Sequence, residues 1–74
     1  MWIKMQNGNL LNLSHCYTIK AYTKDATITA NFLQIYIDFV IGRYDNPARA
    51  DGVLEELYVA MCDPEITTYT MPSK

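Results

Sequence analysis

The chain has 74 residues, weighs 8.5 kDa and carries a formal net charge of -2, and half of it is apolar, including 6 Tyr, 2 Phe and 1 Trp. Such a length holds one domain, so many aromatic and β-branched residues exclude a disordered chain, and no apolar run approaches the roughly 18 residues of a membrane span. The cations Lys4, Lys20, Lys24, Arg43, Arg49 and Lys74 are scattered, which argues against the basic stripe that a nucleic-acid backbone demands.

No charged-then-apolar leader precedes Trp2, so the expected location is the cytoplasm. A domain of this size buries only about 60% of its unfolded surface, and a marginal monomer makes self-association an expectation, most simply as a two-fold dimer. Cys16 and Cys62 stand 46 positions apart without a Cys-x-x-Cys or Cys/His spacing. They read as reduced, buried thiols, with no metal site and no cofactor expected.

In chain order, Trp2-Ile3-Lys4-Met5-Gln6 and Asn9-Leu10-Leu11-Asn12-Leu13 flank Asn7-Gly8. Asn-Gly between apolar segments predicts a hairpin with a type I′ turn, positive in φ at both central positions. Over 15–22, Tyr17, Ile19 and Ala21 alternate with Cys16, Thr18, Lys20 and Tyr22, the period of a half-buried strand. A turn is expected at Lys24-Asp25. Over 26–32, Ala26, Ile28, Ala30 and Phe32 oppose Thr27, Thr29 and Asn31. A short turn near Leu33-Gln34 leads to the most apolar strand, with Ile35, Ile37, Phe39 and Ile41 against Tyr36, Asp38, Val40 and Gly42. Its character predicts the central place in the sheet, and connections this short demand antiparallel pairing.

Asn46 followed by Pro47 is a helix start, because Asn caps well and Pro loses no bond at the first helical position. Ala50, Val53, Leu54, Leu57 and Met61 form one apolar stripe, and Pro64 stops the helix near Asp63. Gly52 within it suggests close contact with the sheet. Residues 65–74 form a β-prone tail, free to fray or to add an edge strand. The expected fold is α+β: an antiparallel meander of four or five strands with one C-terminal helix on one face, a single domain over 1–64 and a tail over 65–74.

Chemistry-bearing patterns are sparse. His15 is the only histidine and adjoins Cys16, but neighbours on a strand point to opposite faces, which works against a nucleophilic dyad. The carboxylates show no spacing that selects an acid–base pair, so no catalytic residue is assigned and the expectation is a protein that is not an enzyme. Asp38 interrupts the apolar strand: it is either paired, with Lys20 or Tyr22 as partners, or exposed on an open face. One helix covers only one face of a small sheet, which leaves Tyr22 and Tyr36, and some of Trp2, Tyr44, Tyr58 and Tyr69, outside the core. Tyr and Trp concentrate at interfaces, so Tyr22, Tyr36, Asp38, Trp2 and Tyr44 are the candidate binding residues. Ordinary cross-strand packing is the competing explanation.

Trp2-Ile3 with Gly8-Asn9-Leu10-Leu11-Asn12, then Ile41-Gly42-Arg43-Tyr44, Ala48-Arg49-Ala50 and Val53-Leu54-Glu55-Glu56-Leu57, resemble small uncharacterised phage and prophage proteins of Gram-positive bacteria, over about half the chain. The resemblance implies a phage-accessory role in a host cytoplasm, where small acidic proteins act by binding a host factor. The leading expectation is a non-enzymatic protein that binds a host protein, including a defence component, through a Tyr-rich sheet surface. The alternatives are an oligomeric binder of a nucleotide signal, with its site between subunits because one chain has little room for a pocket of roughly 300 Å3, and a structural or self-assembling protein.

Overall fold

A computed structural model describes residues 1–32 and 38–74, without the side chains of His15 and Tyr17. The elements in chain order are β1 (Trp2–Lys4), β2 (Leu10–Asn12), a 3-10 turn (Leu13–His15), β3 (Cys16–Tyr22), β4 (Thr27–Phe32), β5 (Asp38–Arg43), α1 (Pro47–Cys62) and β6 (Thr68–Thr70). The fold is α+β, as the alternation and the helical stripe require. Its strands divide into two three-stranded sheets, ordered β2-β1-β6 and β3-β4-β5. Tyr36, the turn near Leu33-Gln34, and Ile35 and Ile37 lie outside the described residues.

The opening hairpin forms, but with a different turn. Gly8 N–H donates to the Met5 carbonyl at 2.9 Å and Met5 N–H to the Asn9 carbonyl at 2.8 Å, closing a three-residue loop. Only Gly8 takes a positive φ, at 90°, while the Asn7 side chain accepts from Asn9 N–H at 3.0 Å. A single left-handed position suffices because the loop is one residue longer than a type I′ turn. The tail does add an edge strand, β6, which runs parallel to β1 with Ile3 opposite Tyr69. Parallel pairing is possible here because α1 and the second sheet lie between the two strands in sequence.

In the second sheet β4 is central, not the apolar strand β5. A meander joined by short turns fixes this order whatever the composition of each strand, and β4 fills the middle with Thr and Ala. Ala26, expected on its apolar side, instead ends the preceding turn in a left-handed conformation at φ 53°, where Tyr44 N–H reaches its carbonyl at 2.9 Å. Two irregularities reset the faces. β3 shifts register between Cys16 and Thr18, which turns Cys16 to the Phe32 side. β5 shifts around Ile41, because Ile28 opposes Gly42 while Thr29 opposes Val40.

The core face of this sheet, with Ile28 and Ala30 fully buried and Phe32 edge-on to Phe39 at 5.6 Å, is covered by α1 over β3 and β4. Asn46 caps α1 by accepting from Arg49 N–H at 2.8 Å, and Asp63 ends it before Pro64. Its buried residues are Ala50, Val53, Leu57 and Ala60. Met61, expected in the stripe, is 49% exposed, because the buried seam turns to Ala60 at the last turn. Ile3, Tyr44 and Met71 complete the core.

Gly42 is required by close approach: a Cβ there would stand 2.8 Å from the Tyr44 hydroxyl and 3.0 Å from Met71 Cε, whereas one on Gly52 would meet nothing within 4 Å. The close contact expected of Gly52 is absent, and that residue is simply tolerated. Gly52→Ala should therefore stabilise the fold by about 0.5–1 kcal/mol through helix propensity, and Gly42→Ala should destabilise it by about 1–3 kcal/mol through overpacking. Leu57→Ala, at a fully buried site, should cost about 2–5 kcal/mol. Urea denaturation of the three variants checks all three signs.

Candidate functional site

Pairing registers define the face of the β3-β4-β5 sheet that α1 leaves uncovered. Tyr22, Thr27 and Arg43 form one cross-strand row, Lys20, Thr29 and Val40 the next, and Thr18, Asn31 and Asp38 the third. Thr27 and Thr29 are 2% and 7% exposed, although on this open face, whereas the flanking Tyr22 and Val40 are 40% and 44% exposed. Small β-branched residues thus line the middle strand between longer side chains of the outer strands. Asp38 is exposed and accepts from the Asn31 side-chain amide at 2.7 Å. Its partner is neither Lys20 nor Tyr22, because β4 separates β5 from β3 and supplies the nearer cross-strand neighbour.

Of the candidate binding residues, the structure brings Tyr22 and Asp38 onto this one face. Trp2 is 46% exposed but belongs to the other sheet, where its cross-strand partners are Asn12 and Thr68. Tyr44 is 6% exposed and therefore part of the core, since the chain turns inward after β5 to let its ring close over Gly42. Tyr36 lies outside the described residues, as does the side chain of His15. Sequence reasoning missed Arg43, because simple alternation puts it with Ile41 and only the bulge carries it to the open face.

A second feature is an apolar groove of about 420 Å3 between α1 and β3, lined by Leu13, Cys16, Ile19, Leu54, Tyr58 and Met61 among others, with Glu55 as the one charged lining residue among the described residues. The groove is larger than the roughly 300 Å3 for which a single chain was expected to have little room. Helical periodicity was the available signal, since Leu54, Tyr58 and Met61 lie on one flank of α1. Within the groove, burial pushes the Cys16 thiol up from its ordinary range, partly offset by backbone hydrogen bonds, so it is a poor nucleophile. Cys62 is exposed, contrary to the expectation of two buried thiols. No group of three or more metal-ligating side chains occurs among the described residues, and no described helix is long and apolar enough to cross a membrane.

The remaining polar cluster is structural. The Tyr44 hydroxyl donates to the Pro72 carbonyl at 3.0 Å, and the Arg49 guanidinium lies 5.9 Å from the Tyr44 ring centroid. Arg49 pairs with Glu56 at 3.7 Å, and Glu56 accepts from the Tyr69 hydroxyl at 3.1 Å. These contacts pin β6 and the tail to α1. No family model, curated protein or solved structure matches the chain.

Burial and then the Glu56 carboxylate push Tyr69 up from 10.0 to about 12, and burial likewise raises Tyr44. A phenol raised in the fold stabilises it while neutral, fully so below its unfolded value, and that contribution is lost as pH rises through the folded value. Stability should therefore fall between about pH 10 and 12. Phenolate absorbance should show one late ionisation near that upper limit, which Tyr69→Phe removes.

Proposed function

We propose that the protein is a non-enzymatic binding protein whose partner is another protein, engaged through the open face of the β3-β4-β5 sheet. The observation that carries this is a sheet face not covered by α1, on which Tyr22 and Val40 stand exposed beside Lys20, Arg43 and Asp38. Interface energy concentrates in Tyr and Arg around an apolar centre, and dispersed charges of both signs at the rim set orientation. In the phage context that the resemblance implies, the partner is a host protein. The alternative of a nucleotide signal bound in the α1–β3 groove is disfavoured by electrostatics, because among the described residues the charged group lining that groove is the Glu55 carboxylate, which repels phosphate.

The immobilised chain should retain a defined protein from a Gram-positive host lysate. Tyr22→Ala combined with Val40→Asp should weaken that capture by about 2 kcal/mol or more while leaving the circular dichroism spectrum unchanged. Capture that ignores both substitutions, or a chain that retains nothing, refutes the assignment.

A further inference from the structure

The two edges of the β3-β4-β5 sheet are not equivalent. Along β5 the outer edge is occupied by Gln6: its N–H donates to the Ile41 carbonyl at 3.3 Å, its Oε1 accepts from Arg43 N–H at 2.6 Å, and its Nε2 donates to the Arg43 carbonyl at 3.0 Å. The side-chain amide acts as one more peptide unit and occupies the Ile41–Arg43 end of that edge. β3, seven residues long, pairs with β4 on one side, and among the described residues no other element bonds its outer backbone. An unpaired edge of this length is a template for another strand.

Beside the edge runs the α1–β3 groove, and on its rim Tyr58 and Met61 are 64% and 49% exposed. The chain exposes 5032 Å2 in all, against roughly 4,700 Å2 for a compact monomer of its mass. A standard interface removes about 800 Å2 from each partner, or about a sixth of this surface. An apolar groove and an open edge thus coincide on one side of the molecule.

We propose that this side is the interface of a two-fold homodimer, in which β3 pairs antiparallel with β3 of a second copy and the α1 flanks carrying Leu54, Tyr58 and Met61 close over both grooves. Isologous pairing requires a self-complementary edge. With Ile19 on the axis, Lys20 stands opposite Thr18 of the second copy, whereas an axis at Lys20 would set like charges face to face. A two-fold axis perpendicular to the sheet keeps both open faces on one side and merges them into a six-stranded surface. The dimer does not depend on the binding role of that face, and its test needs no partner.

Sedimentation of the full chain across the micromolar range should show a concentration-dependent rise to twice the monomer mass. Tyr58→Glu and Met61→Glu, both at exposed positions, should weaken association about tenfold or more, while Val40→Asp on the open face leaves it unchanged. Hydrogen exchange of the unaltered protein supplies a second measure, since outward amides of β3 should exchange more slowly as concentration rises. A monomer at every concentration, which would leave the edge to an extended segment of another protein, overturns the proposal. So does a dimer indifferent to both glutamates and to β3 protection.

Discussion

Gln6 joins the two sheets through both its backbone N–H and its side-chain amide. Gln6 leaves the β1–β2 hairpin, bonds both backbone groups of Arg43, and donates also to the Pro72 carbonyl at 2.9 Å. Three segments distant in sequence are held at one amide. Because an amide offers a carbonyl and two N–H groups in one plane, it can satisfy a strand edge and an outgoing chain together. The position of the tail and the burial of Met71 go with that arrangement.

Two covers then share the core face. α1 lies over β3 and β4, while β5 is met from the other side by residues of the first sheet and the tail, packed onto Gly42 and Tyr44. The helix lies toward β3, and a groove opens on that flank. α1 leaves the opposite face uncovered, and there Tyr22, Val40, Lys20 and Arg43 stand around buried threonines. The uncovered face and the open edge therefore share one cause: sixteen helical residues are too few to cover two faces and two edges.

Much of the candidate face could be read from alternation. Period two in 15–22 placed Tyr22 and Lys20 opposite the core, and the same period in 35–41 placed Asp38 and Val40 there. Two bulges broke the pattern where it mattered. The shift at Ile41 brought Arg43 out and that at Tyr17 turned Cys16 in, and neither leaves a mark in composition because a bulge is a property of the pair of strands. Tyr44 was misjudged for a related reason, since its burial depends on a glycine two residues earlier and a methionine 27 residues later meeting in space.

What the sequence by itself determined is local. The cap at Asn46, the stop at Pro64, the turn at Gly8 and the strand periods each depend on neighbours within a few residues, where backbone sterics and capping bonds decide the outcome. Which strand lies in the middle, which edge stays open and how the tail docks belong to the tertiary structure alone. Those choices follow from pairings between distant segments, such as Gln6 with Arg43 and Ile3 with Tyr69, whose energy exists only once the chain has closed the intervening loops.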